Sequence, residues 1–456
     1  MNPHVDSEPF LLPDLSGLSD GSPWLLFDAS GGTEAVKGFI AVGVLRSLTV
    51  DGPAADGFEQ IQSFVGTGRG RCFGWVGYDQ LRADPMLDLP PQEAVGIPLP
   101  IIHWIEAEGV LSFEGVGPDA ACSWINQPKD EGLANRILQA VRKPVRGQDE
   151  LVLPSAPSSV WSSLDRQAYL TAFERVRAHI QRGDLYELNL CRELRGTLPP
   201  GFSSIEAFAH LVRKTHAPYS AHLSFRDKQV LSVSPECFLE RRGDRLISRP
   251  IKGTAPRHMD PAEDVRTAGA LRRDTKERAE NVMITDLVRN DLSRVASPAS
   301  VQVEELCGIH SFRNVHQMIS TVSCRVRPDA DWSDIMKAAF PMGSMTGAPK
   351  LRAMEITAET ETVRRGLYSG ALGWADPDGA GGVGDFHLNV VIRTTVVDAG
   401  TGTWSAHVGG ALTALAQPDA EWEETRLKAK AILEVLGAEE QVPSVHTAIP
   451  QSNTHG

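Results

Sequence analysis

The sequence predicts a large mixed α/β (α+β) fold, and three observations point to it. Short, partly alternating apolar runs such as WLLFDAS at 24–30 and RCFGWVGYDQ at 71–80 carry the period of strands. Longer runs such as RQAYLTAFERVRAHIQRG and DAEWEETRLKAKAILEVLG carry the period of helices. The two patterns interleave along 456 residues that are 41% hydrophobic and 23% charged. That is enough for a large core and, by length alone, roughly two to four domain-sized units.

Residues 1 to 115 read as alternating strands and turns, and 1–150 form an N-terminal region. GLANRILQAVRK is the one helix expected before a Pro/Ser-rich linker at 146–162, which contains LPSAPSSVWSS. Asp165 is the expected N-cap of the next helix, with Tyr169, Phe173, Val176 and Ile180 on one face and Gly183 closing it. Strands and turns follow from 185 to 250, interrupted by a helix at SIEAFAHLVRKT. Residues 261–295 read as one helical stretch, and DWSDIMKAAF as another helix. LYSGALGWAD and FHLNVVIRTTVVDA form a strand pair around GAGGVG before the final helix. The region 163–436 follows the linker as a second unit, and 437–456, without periodicity, is expected to be a disordered tail. There is no internal repeat.

Composition excludes several classes. A net charge of -13 argues against non-specific nucleic-acid binding, which depends on neutralising phosphates. No apolar run has the length of a membrane helix, and the first residues lack the flank and core of a signal peptide. Six cysteines without CxxC spacing fit neither a zinc site nor a disulfide scaffold, so a reducing cytoplasm is expected. No Ser-His-Asp set and no HExxH spacing is present.

The chemistry-bearing candidates lie in short words. SRPIKGTAPR sets Lys252 beside Gly253 and Thr254; its amine is a nucleophile if burial or nearby cations lower its pKa, and otherwise an exposed loop lysine. In GSMTGAPK, glycines with Thr346 and Lys350 suit an anion-cradling loop or a plain turn into a helix. HVGGAL offers bare backbone at Gly409 and Gly410, with Ala411 following. Glu277 and Glu280 share one helical face, and Glu421, Glu424 and Lys428 share another. A carboxylate from each of two helices is a usual way to hold Mg²⁺; salt bridging on the helix surface is the ordinary alternative. Glu236 in SPECFLE sits in an apolar setting whose burial would raise its pKa and suit a general acid.

Singly these signals are weak, but their order and wording resemble the chorismate-utilising enzymes. That family includes anthranilate, aminodeoxychorismate, isochorismate and salicylate synthases. The matching words are GDLYELNLCREL, SPECFLE, SRPIKGTAPR, DTKERAENVMITDLVRNDLSRV, GSMTGAPKLRAMEI, RRGLYSGALGW, VVIRTTV and AEWEETRLKAKAIL. The resemblance makes 163–436 the catalytic half and implies a central β-sandwich, built of strands from both halves and wrapped by helices, with the active site between two lobes. It implies Mg²⁺ held by Glu280 and Glu424 with Glu421 in support, and substrate contacts from Gly253, Thr254, Gly409, Gly410 and Ala411. Thr346, Lys350 and Lys428 are placed with that substrate-binding set. Tyr368 and Arg393 would hold the enolpyruvyl carboxylate.

The wording PIKGT points to the branch of the family that makes a 4-amino product, with Lys252 as covalent nucleophile and Glu236 as general acid. A 2-amino product, as made by anthranilate synthase component I or a 2-amino-2-deoxyisochorismate synthase, is the alternative. No glutaminase segment such as GxCxG is present, so a separate glutamine amidotransferase is the expected ammonia source, on a route to 4-aminobenzoate and folate. Four positions depart from the family's wording: Glu187 for a usual Gln, Cys191 for a frequent Ser, Gln317 for a His, and Ala411 for a third Gly. Cys191 is expected to be a structural thiol. THAPY at 215–219 departs from the tryptophan-pocket wording NPSPY.

Overall fold

The computed structural model describes residues 37–143 and 158–440, together with 11–14, 18, 24–27 and 145–146. Among them, two large sheets dominate, one of 11 strands and one of 10, and nearly all pairing is antiparallel. Both sheets draw strands from both ends of the chain. In the first sheet Tyr219–Phe225 pairs with Trp24–Phe27, and in the second Ala371–Pro377 pairs with Cys72–Val76. The N-terminal region therefore completes both sheets of the catalytic half.

The sheets face each other across a core that mixes Trp24, Leu26 and Leu223 of the first with Phe73, Trp75 and Leu372 of the second. Trp24 and Trp75 stack across the interface with ring centroids 5.7 Å apart. The outer face of the first sheet is covered by Glu131–Arg142, Ser204–Thr215 and Pro418–Val435. The outer face of the second is covered by Gly57–Gly66, Thr275–Ser293 and Trp332–Ala339. Apolar strand faces buried on both sides explain the continuous hydrophobic runs, such as CFGWV, that lack clean alternation. The sandwich wrapped by helices matches the expected architecture.

Local signals set the helix limits. The Asp165 carboxylate accepts from the Ala168 N–H at 2.8 Å, and Gly183 closes Arg166–Arg182 at φ +83°. The stretch 261–295 is two helices, Pro261–Arg273 and Thr275–Ser293, because Asp274 leaves the helical conformation (ψ 120°) and its side chain caps the second. The expected tail starts too early. Ala438–Glu439 pairs in parallel with Ser158–Ser159, and Glu440 forms an ion pair with the buried Arg192. Such a two-residue bridge leaves no periodic signal in sequence. It also draws 158–162, the end of the expected linker, into the sheets; 147–157 and 441–456 lie outside the described residues. No helix among the described residues is long and apolar enough to cross a membrane.

Candidate active site

Lys252 lies on Ile251–Pro256, the edge strand of the second sheet, where the register against Val315–Arg325 shifts between Ile251 and Thr254. Gly253 occupies that irregularity at φ +85°, and a Cβ there would stand 3.1 Å from Glu277 Oε2 and 3.3 Å from Leu271 Cδ1. Conformation and close approach together require glycine. The Lys252 Nζ donates to Glu187 Oε1 at 2.5 Å, with side chains 11% and 1% exposed. Glu187 begins strand Glu187–Thr197 of the first sheet, so this ion pair ties the two sheets together at the site. Burial disfavours the Lys252 ammonium, but Glu187, Glu280 and Glu236 together outweigh it and raise its pKa. The sequence reading asked for a lowered pKa; here the lysine is held as its cation because its neighbours are carboxylates.

Glu236 immediately precedes strand Cys237–Arg242 and is 6% exposed. Its carbonyl accepts from the Val390 N–H at 3.0 Å and its own N–H donates to Ser234 Oγ at 3.3 Å, which fixes the backbone. Burial pushes its carboxyl up to about 7, with the Lys252 ammonium among the groups opposing the rise. A carboxylic acid half-protonated near neutrality can deliver a proton to a departing oxygen.

Helices Thr275–Ser293 and Pro418–Val435 bring Glu280, Glu421 and Glu424 toward one another beside Gly410. A Cβ on Gly410 would stand 3.3 Å from Glu421 Oε2 and 3.7 Å from Glu424 Oε1. Lys276 Nζ lies 3.1 Å from Glu421 Oε1 and 3.9 Å from Glu280 Oε1. Lys428 Nζ binds Glu424 Oε1 at 2.6 Å and the Gly409 carbonyl at 2.8 Å. Burial pushes Glu280 up to about 7, and burial together with the Glu424 charge raises Glu421. Glu424 is lowered despite its burial, because Lys428, Lys276 and Lys252 outweigh that burial. Glu421 Oε2 is buried with no hydrogen-bond partner among the described residues. No three-ligand metal cage exists among them either. Acceptor-only carboxylates with an orphaned oxygen fit Mg²⁺, which takes one or two protein carboxylates and fills its shell with substrate oxygens and water.

Tyr368 is buried, stacked on His407 at 5.2 Å, and its phenol oxygen accepts from the Cys191 thiol at 3.8 Å. Arg393 has φ +51° and forms no ion pair among the described residues; Ser369, next to Tyr368, has φ +63°. Left-handed non-glycine backbone beside both candidate carboxylate binders is strain of the kind that collects at functional sites. Strand Thr403–Thr413 places Gly409 opposite Cys191, where a Cβ would come 2.6 Å from the thiol sulfur. Gly410 pairs with Leu190, and Ala411 with Asn189.

Two expected substrate contacts have their polar atoms engaged within the protein. The Thr346 hydroxyl donates to the Met342 and Gly343 carbonyls at 3.2 and 3.3 Å, so it closes its own turn. The Lys350 ammonium binds Asp291 Oδ2 at 2.6 Å and the Ala339 carbonyl at 3.0 Å, locking its helix to the end of Thr275–Ser293. Thr254 is exposed and pairs in register with Gln317. His316 cannot stand in for the expected histidine at 317, because adjacent strand residues face opposite ways. Its ring is held by Asp264 at 3.0 Å and Ser311 at 2.8 Å. Cys191 is buried and its thiol is pushed up to about 12 by burial, an inert thiol.

Three participants were missing from the sequence reading: Glu187 as the partner of Lys252, Lys276 between two carboxylates, and the buried Arg365–Glu361 pair. Arg365 donates to Glu361 at 2.7 and 2.9 Å and to the Asn189 and Met345 carbonyls at 2.7 and 2.6 Å. Glu187 was visible only as a departure from the family's usual Gln; Lys276 and Arg365 lay unremarked inside family words, and Glu361 lay between two of them.

A family model described as chorismate binding enzyme matches residues 40–434. Aminodeoxychorismate synthase component 1 of Klebsiella aerogenes is 35% identical over 80% of this chain and 77% of that protein. Anthranilate synthase component 1 of Streptomyces coelicolor is also 35% identical, over 80% of this chain and 72% of that protein. Among solved structures, anthranilate synthase component I from Streptococcus pneumoniae superposes with a TM-score of 0.73 at 24% identity, covering 87% of this chain and 92% of that one. The menaquinone-specific isochorismate synthase of Escherichia coli gives 0.68 at 17% identity, covering 95% and 97%. These likenesses show the fold.

Proposed function

The chain belongs to the chorismate binding enzyme family, and from that premise we propose that it converts chorismate and ammonia to 4-amino-4-deoxychorismate. The observation that carries the reading is the buried Lys252 amine, with the Glu236 carboxyl among the charges that act on it. Overall identity does not choose a product, since relatives named for two different products are equally similar. The chemistry of Lys252 does.

Addition of the Lys252 amine at ring carbon 2 shifts the conjugated double bonds and expels the 4-hydroxyl, which leaves as water with a proton from Glu236. Ammonia then adds at carbon 4, the double bonds shift back, and the lysine departs. Two displacements replace one difficult substitution. Tyr368 and Arg393 would hold the enolpyruvyl carboxylate, a task suited to a guanidinium that has no ion pair among the described residues. Bare backbone at Gly409 and Gly410 admits the ring. Glu280 and Glu424, supported by Glu421, would hold Mg²⁺, which supplies positive charge for the ring carboxylate when bound. Lys428 and Lys276 steady the same carboxylates.

The name component 1 of the Klebsiella relative fits a separate partner subunit, and we assign it the glutamine amidotransferase role. A second reading, a 2-amino product, is favoured by the Streptomyces relative and opposed by Lys252. Incubation with chorismate, Mg²⁺ and ammonium chloride distinguishes them. The expected product has the mass of aminodeoxychorismate and lacks anthranilate fluorescence; fluorescent anthranilate would select the other reading.

A further inference from the structure

The lysine of this site is paired with a carboxylate that the reaction has not yet used. Glu187 is 1% exposed, its Oε1 accepts the Lys252 ammonium at 2.5 Å, and its Oε2 is buried with no partner among the described residues. Strand geometry gives it little freedom. Glu187 pairs with Thr413 on one side and Ala348 on the other, and the neighbouring Gly347 packs so tightly that a Cβ would lie 2.0 Å from the Glu187 carbonyl. The other charged groups that act on Lys252 are Glu280 and Glu236, with Glu277 and Glu424 beyond them. Of these, Glu187 is the one in direct contact.

We propose that Glu187 is a positioning residue that holds Lys252 and takes its proton when the amine becomes a nucleophile. The inference rests on the covalent-lysine reading above. In the step, an Nζ–H bond of Lys252 breaks and the proton goes to Glu187 Oε1. The freed electron pair forms the bond to ring carbon 2, and the hydroxyl leaves as water with the Glu236 proton. When the lysine is later expelled, Glu187 returns the proton. A neutral amide at 187 could hold the amine by hydrogen bonding but could not accept the proton, so solvent would have to remove it.

The test compares Glu187→Gln with the parent enzyme from pH 6 to 9, reading product formation with chorismate, Mg²⁺ and ammonium as a ratio at each pH. The ratio cancels the ionisation of ammonia itself. We expect the variant to fall at least about tenfold behind at pH 6, to recover toward the parent by pH 9, and to show its loss in kcat with no rise in KM for chorismate. The rate of a chorismate-minus-water adduct on Lys252, followed by mass spectrometry without ammonia, should show the same pH-dependent ratio. A variant that tracks the parent at every pH overturns the inference. So does a folded variant that stays inactive at pH 9, because removal of the proton by solvent should then restore it. Lys252→Ala run in parallel separates the two levels: if it still makes the 4-amino product, the lysine reading itself has failed.

Discussion

A buried and a part-buried charged cluster lie within one site region, and they are built on opposite rules. In the first, Arg365 and Glu361 are 2% and 5% exposed, and all five guanidinium N–H groups are accounted for by Glu361, Met345, Asn189 and Ser369. Glu361 also accepts the Cys191 N–H at 2.8 Å. In the second, Lys252, Glu187, Glu280, Glu421 and Glu424 crowd more carboxylates than cations together, and Glu187 Oε2 and Glu421 Oε2 lack any partner among the described residues. A satisfied buried network fixes one backbone arrangement. An unsatisfied one stores affinity for groups that arrive from outside, which on the proposed reading are a divalent cation and an anionic substrate. On the proposed reading the first cluster is the frame and the second carries the chemistry.

Breaking each cluster should therefore fail in different ways. Glu236→Gln removes the proposed proton donor that acts beside the second cluster, and we expect a loss of about 10²- to 10⁴-fold in kcat with the fold intact. The parent's kcat should fall as pH rises through about 7, where the acid form of Glu236 is lost, and the variant should lose that limb. Arg365→Ala strikes the frame. It leaves Glu361 buried and uncompensated, and urea unfolding should report a loss of about 3–5 kcal/mol.

Mg²⁺ sharpens the contrast without a mutation. Chelation should abolish activity, and Mg²⁺ at a hundred times its Kd should add about 2.7 kcal/mol to stability, an increment absent in Glu424→Gln. Without the metal, stability should fall as pH rises from about 4.5 to 7. The sign follows from Glu236 and Glu280, whose carboxyls are raised to about 7 and so bind protons in the folded state that the unfolded chain has already lost. Glu280→Gln should flatten the slope in thermal melts taken across that range. The smallest effect belongs to Cys191. The buried thiol should resist alkylating reagents in the folded enzyme, and Cys191→Ala should stay within a few-fold of parent activity.

How much of this was legible in sequence follows the same division. Lys252, Glu236, Glu280, Glu421 and Glu424 were legible as candidates because each stands in a word whose residue types suit the chemistry expected of it. Glu187 was not placed, because its partner lies 65 residues away on the other sheet and no local pattern joins them. The internal bonds of Thr346 and Lys350 were not legible, because a glycine-rich loop reads alike whether its polar atoms face a ligand or close its own turn. The helix caps at Asp165 and Gly183 were read correctly, since a cap acts within a few residues. The parallel bridge of Ala438–Glu439 was missed, because it depends wholly on a distant segment. Mixed layering was visible in the interleaved periods, whereas the sharing of both sheets by both ends of the chain came only through family resemblance.

The central claim is that Lys252 decides the product. Lys252→Ala, supplied with chorismate, Mg²⁺ and ammonium and analysed by mass spectrometry, tests it most directly. The account predicts that 4-amino-4-deoxychorismate falls by about 10³-fold or more while chorismate binding and the folded state persist. Undiminished 4-amino product from that variant would contradict it.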